Sequence, residues 1–156
     1  MMTGVDDDVA CYRRHADELT RYATALVGPA DAADVVTDGV LAAFGSPAWP
    51  TVLNRRAYLY RSVFNRAVSV RRSDARRQRR EAAVAAPVAS SSTESSIDAH
   101  RALAELSPQQ RAVVYLTYWD DLTPAQIADL LDVSDGTVRK QLARAREQLR
   151  RILDEH

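Results

Sequence analysis

The stretch LTPAQIADLLDVSDGTVRKQLARAREQL, Leu122 to Leu149, encodes two helices and the turn between them. The Thr123 hydroxyl can cap the free amides of the first helix, and Pro124 takes the first helical position, where a missing N–H costs nothing. Ile127 and Leu131 share a face, and Ala128 beside them is small enough for a second helix to cross closely. Asp132-Val133 forms the turn, with Val133 as its apolar plug. Ser134 then caps a second helix whose apolar positions Val138, Leu142, Ala145, Leu149 and Ile152 follow a four, three, four, three spacing. The opposite face carries Arg139, Lys140, Arg144, Arg146, Arg150 and Arg151. Ser134, Asp135 and Thr137 stand at the N-terminal end of this helix, where a recognition helix meets base edges. The pattern predicts a DNA-reading helix-turn-helix, although the same hairpin with a merely solvated face also satisfies the periodicity.

Charge along the chain supports a polyanion partner. Formal net charge is zero over 156 residues, but its distribution is segregated. Residues 1–54 carry three Arg against eight acids; residues 55–80 carry ten Arg against Asp74 alone. Residues 94–135 return to two Arg against eight acids, and in residues 136–151 six basic side chains face only Glu147. Two basic blocks suggest two contacts with a polyanion, and the acidic blocks suggest a basic protein partner.

Helix predominates throughout. Aromatics are 6% and glycines number 5, while Ala, Leu and Arg abound. Asp8 to Leu26 places Val9, Tyr12, Ala16, Leu19, Ala23 and Leu26 at helical spacing and ends at Gly28-Pro29. Asp31 is expected to cap a second helix, Ala32 to Phe44, with Val36, Val40 and Phe44 on one face and Gly45-Ser46-Pro47 as its stop. A third helix runs from Asn54 to about Arg80. Residues 82–96, AAVAAPVASSSTESS, hold almost nothing large to bury and are expected to form a flexible linker. Beyond it, Ile97 to Leu106 begins the second unit with Leu103 and Leu106 turned inward, and a helix follows from Ser107-Pro108 to about Trp119. The expected architecture is all-α: a helical unit at 1–81, a linker at 82–96 and a helix-turn-helix unit at 97–156.

Particular residues carry a family resemblance. Leu106-Ser107-Pro108-Gln109-Gln110-Arg111, Val114, Leu116, Leu122-Thr123, Ile127-Ala128, Leu131, Val133-Ser134, Gly136-Thr137-Val138-Arg139 and Leu142-Ala143-Arg144-Ala145-Arg146 closely resemble region 4 of bacterial RNA polymerase sigma factors of the extracytoplasmic-function (ECF) type, in the sigma-70 family. LuxR-type regulators share the helix-turn-helix but lack the LSPQQR lead. Gln126 stands where the family usually has Glu, and Asp132 where it usually has Gly, a residue that enters a left-handed turn more readily. Asp31 to Asp38 resembles region 2.2, whose exposed polar side binds the clamp helices of the polymerase β′ subunit; Thr37 and Gly39 replace the usual amide and apolar residues. Arg56 to Val68 resembles regions 2.3 and 2.4.

The resemblance implies a sigma factor that binds core RNA polymerase through its β′ clamp helices and β subunit, chooses promoters and opens the duplex. For the minus-thirty-five element it points to Ser134, Asp135, Thr137, Arg139 and Lys140 near bases or phosphates, and to Arg144 and Arg146 mainly on phosphate, Arg146 equally suiting a plain surface charge. For the minus-ten element it points to Asn54, Arg55, Tyr58, Arg61, Asn65 and Arg66, with the loop Ser46 to Thr51 as pocket for an extruded base. Polymerase contact falls to Asp34, Val35 and Asp38. Tyr58, Tyr60 and Phe64 suit a core role first, and Trp49 suits a wedge or a lid over the unit. The linker corresponds to the segment that, in the family, runs near the RNA exit path, and it permits a compact self-masked state or an open one. The resemblance also implies that an anti-sigma protein is a possible further partner.

Other chemistry is excluded or outweighed. No nucleophile pairs with a base and no Gly-rich phosphate loop occurs, so an enzyme is not expected, and no cofactor is implied. Cys11 is a lone cysteine, and His15, His100 and His156 lack metal-ligand spacing. The acidic start MMTGVDDDVA and the lack of a long apolar run predict a cytoplasmic protein without membrane insertion. Two rival readings stay open on sequence: a stand-alone duplex-binding regulator, and a sigma-like decoy that binds an anti-sigma protein, the latter kept by the Thr37-Asp38-Gly39 segment.

Overall fold

The computed structural model describes residues 4–82 and 102–154. Three helices form the N-terminal unit: α1 (Gly4–Val27), α2 (Pro29–Phe44) and α3 (Arg55–Ala82), with a short 3₁₀ turn at Trp49–Thr51. A helical turn at 102–105 leads into α4 (Pro108–Tyr118), α5 (Pro124–Leu131) and α6 (Asp135–Asp154). Among the described residues there is no strand. The expected linker lies outside the described residues from 83 onward, as does Ile97.

The N-terminal unit closes around one apolar seam. Leu19, Tyr22, Ala23 and Leu26 of α1 meet Val35, Val36, Val40 and Ala43 of α2 and Leu59, Tyr60, Val63 and Ala67 of α3, all buried. Removing a fully buried leucine such as Leu19 would cost about 2–5 kcal/mol. α2 and α3 cross unusually closely at Gly39, where an added Cβ would lie 2.9 Å from the Val63 Cα. Ser62 Oγ bonds to the Gly39 carbonyl there, at 2.5 Å. Gly39, a departure from the resembled pattern, is thus a packing residue.

Several expectations need correction. Val9 does not turn inward but is exposed, one turn from the start of the chain's described helix. Asp31 does not cap α2: the helix begins at Pro29, after Gly28 at φ +88°, a conformation that glycine adopts without strain, and Asp31 sits in its first turn. Val35 is only 1% exposed and packs in the core, so it cannot meet a partner surface.

Capping defines the C-terminal unit. Ser107 and Gln110 form a reciprocal capping box at α4, and Thr123 and Gln126 form another at α5. Gln126 accepts from the Thr123 amide at 2.9 Å, so an amide serves where the family usually has a carboxylate. α5 ends at Asp132, held left-handed at φ 57° and ψ 49°. Ile127, Ala128, Leu130 and Leu131 then pack with Val138, Leu142 and Ala145 of α6 and with Val113, Val114 and Leu116 of α4.

The two units touch. α3 packs against α5 and α1 against α4. Arginines supply the polar contacts: Arg61 to the Asp129 carbonyl (2.9 Å), Arg71 to the carbonyls of Ala104 (3.0 Å) and Leu106 (3.3 Å), and Arg111 to that of Ala25 (2.5 Å). Tyr22 and Tyr115 meet at 6.1 Å between ring centroids. Burial, with the Arg71 charge nearby, lowers the Arg111 guanidinium to about 10, so it still carries its proton at neutral pH.

Candidate nucleic-acid interface

α6 owes its position to the turn before it. The left-handed Asp132 and the half-buried Val133 redirect the chain, and Ser134 Oγ then accepts from the Thr137 amide at 3.1 Å as the N-cap. Its hydroxyl also meets Thr137 Oγ1 at 2.9 Å, which fixes both small polar groups at the helix entrance. Val138, Leu142 and Ala145 lock one side into the core, leaving Asp135, Arg139, Lys140 and Arg144 exposed on the other. Arg146 has a different engagement: Nε donates to Tyr118 Oη at 2.7 Å, and the guanidinium lies 5.7 Å from that ring centroid. Gln141 and Gln148 tie the same helix to Gln109 and to the Glu105 carbonyl.

On α3 the six expected residues fall within an arc of about 140° of helix, but their environments differ. Asn54 caps the helix, its Oδ1 accepting from the Ala57 amide at 3.0 Å. Arg55 lies over Trp49 at 4.9 Å, and Tyr58 bonds to Ser46 Oγ at 2.8 Å. Arg61 is held by α5 as described. Asn65 is exposed, and Arg66 pairs with Asp38 of α2 at 3.1 Å. One more turn along the same arc stand Ser69, Arg72 and Arg76, all exposed, which sequence reasoning did not single out. Their spacing of four, three and four from Asn65 was the available signal.

In the loop Ser46 to Thr51, expected to pocket an extruded base, the indole of Trp49 is turned into the unit. Trp49 is 3% exposed, packed on Phe44 (5.0 Å) and Tyr58 (5.8 Å), with Nε1 donating to Asp8 at 2.9 Å. It is a lid over the unit, because a buried indole N–H that finds a carboxylate has little reason to leave. Tyr60 is core, as expected, while Tyr58 and Phe64 are half-buried.

Beneath α3's first turn, Glu18 gathers donors from His15 (2.6 Å), Arg56 (2.9 Å) and Tyr60 (3.0 Å). Burial alone would raise its pKa, but these hydrogen bonds outweigh it and hold the carboxyl below its usual range. Burial raises the Cys11 thiol, against the pull of Arg55 and Arg14. Among the described residues no group of three or more His, Cys, Asp or Glu is placed to hold a metal ion.

On α2 the exposed stripe is Asp34, Thr37, Asp38 and Leu41, Leu41 being 62% exposed. Val35, expected at the polymerase surface, lies on the buried side of this helix, and Leu41 is the large apolar side chain on its exposed side. One residue of register separates a core position from a surface one on this helix.

An all-helical chain with a capped helix-turn-helix and a second cationic helix belongs, by class, to the promoter-reading proteins. Residues 96–149 match the family described as sigma-70, region 4. The chain is 34% identical to the ECF RNA polymerase sigma factor SigL of Mycobacterium tuberculosis, over 94% of this chain and 88% of that protein. It is 32% identical to the RNA polymerase sigma-E factor of Streptomyces avermitilis, over 91% and 82%. Its fold is similar to that of the sigma factor RpoE of Bartonella quintana, solved with the anti-sigma factor NepR, at a TM-score of 0.68 and 22% identity, covering 95% of this chain and 97% of that one. The chain belongs to the ECF sigma factors of the sigma-70 family. It directs RNA polymerase to promoters and supports transcription initiation, and the family is not enzymatic.

Proposed function

We propose that α6 and α3 divide the promoter between them. α6 enters the major groove of the minus-thirty-five element with Ser134, Asp135, Thr137, Arg139 and Lys140 at bases or phosphates and Arg144 on phosphate. Arg146 braces Tyr118 and contributes charge. α3 meets the separated minus-ten strand through Asn54, Arg55, Tyr58, Arg61, Asn65 and Arg66, with Ser69, Arg72 and Arg76 extending the track. The observation that carries this reading is the two-sided α6, whose Val138, Leu142 and Ala145 are buried while Arg139, Lys140 and Arg144 are exposed.

Polymerase contact falls to the α2 stripe of Asp34, Asp38 and Leu41 against the β′ clamp helices, with further contact to the β subunit, in the cytoplasm. The functional units are 1–81 and 97–156, with 82–96 as linker. An anti-sigma protein is a fitting regulator: the groove between α1 and α4, about 370 Å³, presents Val114, Tyr115 and the exposed Trp119. The test is a footprint of reconstituted holoenzyme on a promoter. R139A/K140A should erase protection upstream and leave polymerase binding intact; D38R/L41S should abolish polymerase binding. Unchanged footprints in both would overturn the assignment.

A further inference from the structure

Between the two units a groove of about 1030 Å³ runs along the second half of α3 and past the start of α4. Its α3 wall changes character along the helix: Phe64 and Val68, both half-buried, come first, and Arg71, Arg72, Arg76 and Arg79 follow, over about 22 Å of helix. Among the described residues Glu105 is the one acid on its walls, and none of the four arginines has a carboxylate partner. Arg71 spends Nη2 on the carbonyls of Ala104 and Leu106 while its Nη1 is buried with no partner, and Arg79 reaches only the Ala75 carbonyl. The α4 wall is also short of acceptors. The Gln109 side-chain oxygen accepts from Gln141 at 3.0 Å, that of Gln110 from the Ser107 amide at 3.1 Å, and Ser107 Oγ from the Gln110 amide at 3.2 Å. Both glutamines thus keep their NH₂ groups, and Ser107 its hydroxyl proton, to donate.

We propose that this groove binds a nucleoside polyphosphate, its base against Phe64 and Val68 and its phosphates against Arg72, Arg76 and Arg79, with Ser107 and Gln110 donating from the other unit. Phosphate oxygens only accept hydrogen bonds and carry the charge that these guanidinium groups lack as a partner, so a wall of donors suits them. A bare phosphate would leave most of the groove empty, whereas the apolar end gives a planar ring an aromatic neighbour, with the Asn65 amide beside it for a base edge. Such a ligand touches α3 and α4 together and so ties the two units. It also occupies Arg72 and Arg76, which the promoter reading gives to the separated strand. Ligand and strand therefore exclude each other, a regulation that goes beyond that reading.

The test is calorimetric titration of the full chain with ATP, tripolyphosphate and adenosine at one ionic strength. ATP should bind about tenfold more tightly than either of the others. R76A/R79A should weaken ATP by about tenfold or more, and F64L should weaken ATP by about fivefold while leaving tripolyphosphate unchanged. R80A removes an exposed arginine of the same helix that lies outside the groove, and it should match wild type. Arg76 and Arg79 are exposed, so melts without ligand should coincide, and saturating ATP should raise the melting temperature of wild type but not of R76A/R79A. Tripolyphosphate binding as tightly as ATP, or R80A losing as much as R76A/R79A, would overturn the site. An oligothymidylate that binds wild-type holoenzyme while ATP does not bind the chain would overturn it too, and would leave the α3 reading standing.

Discussion

The guanidinium of Arg61 on α3 donates a 2.9 Å hydrogen bond to the main-chain carbonyl of Asp129 on α5. A side chain expected to meet the melted strand is therefore held by the helix-turn-helix unit. Arg71 and Arg111 cross between the units in the same way, each to main-chain carbonyls. A carbonyl is a weaker partner for a guanidinium than a phosphate is, so under the proposed division of the promoter the separated strand would compete for this contact.

Arg71→Ala and Arg111→Ala should each lower the unfolding free energy by about 1–3 kcal/mol, the worth of a hydrogen bond from a charged donor. Urea titration measures this. The double variant should also show a larger radius of gyration by small-angle scattering. Wild-type stability and size in both variants would show that the units do not depend on these bonds.

Gly39→Ala should destabilise by about 1–3 kcal/mol, since its Cβ would meet the Val63 backbone at 2.9 Å and α2 and α3 would have to separate. Leu41→Ala, on the exposed side of the same helix, should leave the melting temperature unchanged and weaken polymerase binding. Two opposite outcomes within three residues test the register of α2.

Asp132→Gly should stabilise by about 1 kcal/mol or less, because glycine occupies φ 57° without the Cβ penalty. Asp132→Val should destabilise by more than that, as a β-branched residue tolerates the conformation poorly. Thermal melts of the two variants should move in opposite directions.

Glu18 gives a pH dependence with a definite sign. Its folded pKa lies below its ordinary value, so its contribution is fully present above the usual carboxylate range and is lost as pH falls through the depressed folded value. Glu18→Gln should remove that part of the acid-side loss. Urea midpoints across pH 3 to 7 should fall less steeply in the variant; parallel curves would contradict the hydrogen-bonded role.

Much of this was legible in the sequence where a local rule coincided with a global one. The Thr123 and Ser134 caps, the Asp132 turn and the buried spacing of Val138, Leu142 and Ala145 need only neighbours in the chain. What escaped depended on distant partners. Val35 looks as eligible for the surface as Leu41 until α1 and α3 close over it, and Gly39 looks like a lapse until Val63 arrives against it. Trp49 could be assigned as a lid only once Asp8, 41 positions away, was seen to accept its N–H. On sequence Arg61 suits contact with DNA and Arg146 suits phosphate or a plain surface charge, whereas their contacts with Asp129 and Tyr118 come from tertiary packing that periodicity does not encode.

The most direct test of the promoter-dividing account is run-off transcription over fragmented genomic DNA from the source organism, with core RNA polymerase and with or without this protein. The account predicts new start sites that share two spaced upstream elements, with R139A/K140A losing the upstream one. Polymerase binding without any initiation would contradict it and leave a decoy; no polymerase binding at all would leave a stand-alone regulator.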